Sequence, residues 1–80
     1  MKGPWWQILE GFGMNLRRLR EAEGMTQLEL AMRAGVDAAE ISRLEQGRRD
    51  PKITTVVRLA AGLGVDAGEL VRDLRLRPEA

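Results

Sequence analysis

Few side chains in this sequence can carry out covalent or acid–base chemistry. It contains no His, Cys or Tyr, and Ser42 is its only serine, with no base to activate it. Disulfides, iron–sulfur clusters and thiolate zinc sites are thereby excluded, and no carboxylates recur at a metal-binding spacing. Neither enzymatic activity nor a cofactor is expected. What remains is recognition chemistry. Arg48, Arg49 and Lys52 form a basic cluster whose only acidic interruption is Asp50, which reads either as a phosphate contact or as a solvated loop. The net charge of +1 does not itself point to a polyanionic partner, although the small basic excess lies within residues 11–58.

The elements that position these groups follow from hydrophobic spacing. Eighty residues, 44% hydrophobic and only 4% aromatic, allow one domain with an aliphatic core. Without disulfide or metal staples, stability must come from helix packing or association. No apolar run approaches the roughly 20 residues that span a bilayer, and the N-terminus does not read as a secretory signal, so a cytoplasmic location is expected.

Five helical segments and no strand are predicted. Residues 1–11 form a separate extension, in which Trp5, Ile8, Leu9 and Phe12 have helical spacing but Gly11 and Gly13 interrupt it. At least one of Trp5 and Trp6 is expected to be buried. A helix over 13–23 offers Met14, Leu16 and Leu19 to the core and ends at Gly24. Thr26 and Glu29 form a capping box for a second helix over 27–34, which buries part of Leu28, Leu30 and Ala31. Asp37, with Glu40 at the third position, caps a third helix to about residue 46 that turns Ile41 and Leu44 inward. A fourth helix follows Pro51, from about Thr54 to Leu63. Asp66 caps a fifth that carries Leu70, Val71 and Leu74. The domain proper spans 12–76, and 77–80 are a tail.

The stretch QLELAMRAGVDAAEISRLEQ (residues 27–46) is the most informative. Two short helices joined by a few residues can cross steeply only if their contact is thin, and Ala31 supplies the small side chain. The turn needs a residue that tolerates positive φ, which is Gly35. Leu30, Ala34, Val36, Ile41 and Leu44 face the hinge from both sides. This is the spacing of a DNA-binding helix-turn-helix.

On these residues the chain resembles the phage repressor/Cro (Xre-type) helix-turn-helix family. The resemblance is carried by R-x-x-x-G-M-T-Q-x-x-L-A from Arg20, I-S-x-L-E-x-G from Ile41 and P-x-I-x-x-x-x-x-L-A from Pro51. It implies an all-α, compact five-helix bundle like the lambda-repressor DNA-binding domain. It also implies a homodimer on a near-palindromic operator in double-stranded DNA, with the third helix in the major groove. Thr26 and Gln27 match positions that grip a phosphate, as the amides and dipole of a helix N-terminus favour. Arg48, Arg49 and Lys52 match a loop that touches the backbone. Base reading falls to Ala38, Ala39, Glu40, Ser42 and Arg43. The two alanines have no hydrogen-bonding groups and at most touch thymine methyls. Glu40 is expected to complete the capping box with Asp37 rather than read cytosine. Arg43 is either a bidentate reader of guanine or a surface or phosphate-contacting arginine. Arg20 and Glu45 match positions that pair across the first and third helices. Lys52 stands where the family usually has Ser or Thr, which blurs the start of the fourth helix.

Val71, Leu74 and Leu76 are more apolar surface than a short terminal helix can hide, and the family often dimerises there. They are assigned to the dimer interface, with core packing as the alternative. An antitoxin, a restriction–modification controller or a protein-interaction module of the same fold would share these features. A toxin or polymerase partner is not identifiable from the sequence.

Overall fold

Local signals set most of the helix boundaries in the computed structural model, which describes residues 5–76. The helices are α1 (Trp5–Ala22), α2 (Gln27–Ala34), α3 (Ala38–Glu45), α4 (Ile53–Leu63) and α5 (Ala67–Leu70), with no strand among the described residues. Thr26 caps α2 as expected. Its hydroxyl accepts from Glu29 N–H at 3.0 Å, and Glu29 Oε1 accepts from Thr26 N–H at 2.8 Å. The hydrogen bond from the Thr26 backbone N–H, with the Thr26 side chain adding to it, holds the Glu29 carboxyl below its ordinary range. The stability the box supplies is therefore present above the ordinary carboxylate pKa and lost as pH falls through the lowered one. Gly35 ends α2 at φ 67°, and both Gly35 N–H and Val36 N–H return to Ala31 O.

The core is aliphatic around a single Phe12. Leu16, Leu30, Ile41, Leu44, Leu59 and Leu70 are its largest fully buried side chains, and they come from all five helices. α1 packs on α3 and α5, α2 on α3 and α4, and α4 on α5. Helical spacing on α1 explains its share: Phe12, Leu16 and Leu19 fall on one stripe facing the core.

Several expectations need correction. The first helix does not begin at residue 13. It runs from Trp5 straight through Gly11 and Gly13, so the described part of the extension is the first two turns of α1. Each glycine costs a helix about 1 kcal/mol relative to alanine, but here both provide space. A Cβ on Gly13 would stand 2.5 Å from Leu44 O and 2.8 Å from Glu45 O, whereas one on Gly11 would meet Leu74 Cδ2 at 2.7 Å. Met14 and Leu28 point outward, at 71% and 62% exposure. Trp5 is exposed. Trp6 is half-buried, and its Nε1 donates to Glu10 Oε2 at 2.8 Å.

The fifth helix is only four residues long, and Asp66 makes no side-chain cap bond to it. Val71 leaves helical geometry at φ −102°, and Asp73 sits in the left-handed region at φ 63°. This turn folds Leu74 back onto its own core, over Gly11. Asn15 secures it, because Nδ2 donates to both Leu70 O and Arg72 O at 3.0 Å. Of the assigned interface residues, only Val71 and Leu76 stay exposed. Residues 1–4 and the 77–80 tail lie outside the described residues.

The two glycines should respond differently to alanine. Gly13→Ala drives a methyl into backbone carbonyls of α3 and should cost about 1–3 kcal/mol, which a domain of this size shows as a melting temperature lower by several degrees. Gly11→Ala meets the end of one movable leucine and should cost clearly less. Thermal unfolding of both variants tests this. Equal losses would mean that α1 does not rest on α3 through Gly13.

Candidate nucleic-acid interface

The α2–α3 pair is held by a polar network as well as by its apolar hinge. Glu45, the last residue of α3, accepts from Arg20 of α1 twice: Nε to Oε2 at 2.7 Å and Nη2 to Oε1 at 3.0 Å. Arg20 Nη1 also donates to Met25 O at 2.7 Å, and Gln27 Nε2 donates to Glu45 Oε1 at 3.1 Å. The Arg20 and Glu45 side chains are only 12% and 4% exposed. The hydrogen bond to Glu45 raises the Arg20 pKa, with burial opposing. No buried side-chain polar atom among the described residues lacks a partner. The expected pair is thus present, and it is larger than a pair.

Gln27 is the unforeseen member. It matches a phosphate-gripping position, but here its amide turns inward to complete the coordination of Glu45, which the two-pronged Arg20 alone leaves unfinished. What α2 offers outward at that end is the Thr26 hydroxyl proton and the first-turn amides of Gln27 and Leu28, which no intrahelical carbonyl can reach. An anion is favoured there.

On α3 the expected readers separate into three kinds. Ala39 is exposed, whereas Ala38 packs partly against the core. Ser42 is half-buried and accepts from Gln46 Nε2 at 3.1 Å; Gln46 Oε1 in turn accepts from Arg48 Nη1 at 3.1 Å. Glu40 and Arg43 lie one turn apart and form an ion pair at 3.5 Å. Glu40 does not complete a capping box with Asp37. The Asp37 side chain accepts from Ala39 N–H instead, at 3.4 Å, and Glu40 turns to Arg43 and to Arg49, 3.6 Å away. One Glu40 oxygen thus faces two guanidiniums in place of the Asp37 N–H that a capping box would engage. Arg48, Arg49 and Lys52 are all exposed, and Lys52 is the N-cap of α4 without a side-chain cap bond. Gln46 and Asn15 were not anticipated as members of these arrangements. Gln46 links Ser42, one helical turn back, to Arg48 in the loop, whereas the partners of Asn15 lie at the far end of the chain.

The geometry is thus a short helix that exposes Ala39 and Arg43, the arginine paired with Glu40, followed by a loop that carries the exposed Arg48, Arg49 and Lys52. The sequence profile of the helix-turn-helix domain family matches residues 12–77. The chain belongs to that family. Within it, the uncharacterized HTH-type transcriptional regulator y4dJ of Sinorhizobium fredii is 46% identical over 59 residues, which span 74% of this chain and 77% of the relative. The HTH-type transcriptional repressor RghR of Bacillus subtilis is 47% identical over 58 residues, or 71% of this chain and 43% of its own length. Among solved structures, the restriction-modification controller protein C.AhdI from Aeromonas hydrophila has a TM-score of 0.76 at 35% identity, covering 78% of this chain and 94% of that one. The fold is therefore that of a helix-turn-helix domain, with α2 and α3 as its two helices. No helix among the described residues is long and apolar enough to cross a membrane.

Glu45 is where this helix-turn-helix should be most vulnerable. Removing one partner of a buried ion pair typically costs about 3–5 kcal/mol, because the other charge is left desolvated. Glu45→Ala should therefore lower the denaturation midpoint strongly. The double change Arg20→Met with Glu45→Leu should recover much of that loss. A double variant as unstable as the single one would show that hydrogen bonding, not the stranded charge, dominates the site.

Proposed function

We propose that this chain is a DNA-binding transcriptional regulator that binds a near-palindromic operator as a homodimer, with α3 in the major groove. The observation that supports it best is the outer side of α3 and its following loop. Arg43 stands exposed on the helix, and Arg48, Arg49 and Lys52 stand exposed behind it, the division of labour expected when one element reads bases and the next grips phosphates. The names of y4dJ and RghR agree with a regulatory role.

Arg43 is the principal base reader, suited to guanine, with Ala39 beside a thymine methyl and Glu40 and Ser42 nearby. Ala38 contributes mainly close approach. Thr26, the first amides of α2, Arg48, Arg49 and Lys52 hold the backbone. The protein acts without a cofactor, has no enzymatic activity and works in the cytoplasm, where its DNA is. Dimerisation uses the exposed Val71 and Leu76, while Leu74 packs mainly against the core of its own protomer. A controller of restriction–modification genes is the second reading. It is favoured by the likeness to C.AhdI, and would be decided by a methyltransferase gene beside the operator.

Two experiments test the proposal. A duplex selected by the chain from a randomised pool, and a scrambled version of it, are bound across a salt series. Arg43→Ala should lose discrimination at one base pair, about 1–3 kcal/mol. Arg49→Ala should weaken both duplexes alike and make the salt slope shallower by about one unit. Equal affinity for both duplexes, with every substitution acting alike, would leave only a non-specific binder, and no binding at low salt would favour a protein-interaction module. In sedimentation, Val71→Glu should yield monomers of unchanged helicity. A persistent dimer would move the interface elsewhere.

A further inference from the structure

Glu40 has no task in the scheme above that its contacts explain. Asp37 already supplies the N-terminal cap bond of α3, so Glu40 is not needed there. A carboxylate on a surface that meets a polyanion weakens binding to every sequence unless it serves selection. Its position suggests what it serves. Glu40 Oε1 stands 3.5 Å from Arg43 Nη1 and 3.6 Å from Arg49 Nη2, so one oxygen faces two guanidiniums from different elements. The Glu40 side chain is 22% exposed, against 49% for Arg43 and 54% for Arg49. The carboxylate is thus the more buried end of the arrangement, and the cations are its more exposed ends.

At these distances and exposures the two pairs contribute little to folding. Their consequence lies in placement. A long arginine on a helix facing DNA can reach a phosphate as readily as a guanine edge, and phosphate contact carries no sequence information. We propose that Glu40 is a positioning residue for DNA reading. It holds Arg43 and Arg49 at a set separation, so that the base contact and the backbone contact are made in one register. The inference rests on the DNA-binding reading above. A shared counter-charge narrows both arginines before binding, which leaves less side-chain ordering to be done on the duplex. It also opposes stray phosphate contacts by Arg43, a repulsive element of the kind specificity requires. Arg48 is tied back to the same helix through Gln46 and Ser42, each bond 3.1 Å. Both loop arginines are therefore linked to the reading helix.

The test uses the full chain with the selected and scrambled duplexes. Glu40→Gln and Glu40→Asp are measured alone and combined with Arg43→Ala, Arg49→Ala and both. Glu40→Gln should bind scrambled DNA more tightly, while its preference for the selected duplex falls about tenfold, within the discrimination of one bidentate base contact. Arg43→Ala and Arg49→Ala should be non-additive in the parent chain and additive once Glu40 is replaced. Glu40→Asp keeps the charge but withdraws it by one methylene, so it should lose the coupling without tightening scrambled binding. Equal tightening on both duplexes with the arginines still coupled would reduce Glu40 to a repelling charge and overturn the proposal, with DNA reading intact. A loss confined to one cytosine, with coupling retained, would make Glu40 a direct reader and overturn it too. A parent chain that prefers no duplex would overturn the DNA-reading proposal itself, and this one with it.

Discussion

The Glu45 carboxylate ties together three helices, and the orientation of α3 depends on it. α3 is eight residues long, and Ile41 and Leu44 are its only fully buried apolar side chains. Two apolar anchors press a helix onto a core but leave its rotation about its own axis weakly defined. Glu45 defines it, since a carboxylate bonded by Arg20 from α1 and Gln27 from α2 has one position that satisfies all three groups. Standing alone, that carboxylate would be unfavourable twice over. It lies at a helix C-terminus, where the dipole is already negative, and it is nearly buried. The arginine fork reverses both objections. A buried ion pair of this kind adds little net stability compared with apolar packing. Its value here is geometric, because the rotation of α3 decides which side chains face outward.

α1 is the surface against which that orientation is set. Gly13 lets the α3 backbone approach α1 as closely as its Leu44 and Glu45 carbonyls require, three residues after Glu10 and three before the buried Leu16. At its other face, Gly11 receives Leu74, and Asn15 receives the carbonyls at the end of α5. A single helix thus holds α3 on one side and the C-terminal turn on another. Glycines that weaken α1 locally are what allow it to be gripped twice.

This division explains which features could be read from the residues in order. Thr26 with Glu29, and the glycines after α2 and α3, act on neighbours within a few positions, so they mark boundaries in sequence as they do in space. The Arg20–Glu45 pair is legible because the family pattern repeats it. The length of α1 is not legible, since propensity places Gly11 and Gly13 at an end, and only contacts with residues 44, 45 and 74 reverse that. Leu74 and Asn15 fail for the same reason, being partners across almost the whole chain. At the site, Arg43 and the loop cations follow from type and spacing. The inward turn of Gln27 and the pairing of Glu40 with Arg49 do not. Each depends on a charge brought near by the fold, and a hydrogen-bonding side chain takes the strongest partner within reach rather than the one its position suggests.

The same competition bears on how so sparse a reader would discriminate. The net charge is only +1, so long-range attraction to DNA is modest and the local cations must supply most of it. Several of those cations are already committed: Arg43 and Arg49 to Glu40, and Arg48 to Gln46. In the proposed DNA complex this would restrain non-specific affinity, because a phosphate contact by any of these three arginines must first displace an internal partner. Specific affinity is restrained less where the duplex lets an arginine keep its partner and gain a base edge. The relevant quantity for a regulator is the ratio of the two affinities, weighed against the many competing sites of a genome. With Ala38 and Ala39 offering no hydrogen bonds, that ratio cannot come from many base contacts. It would come from a few contacts held rigidly, together with the cost of fitting the groove to a short helix whose rotation is fixed from behind.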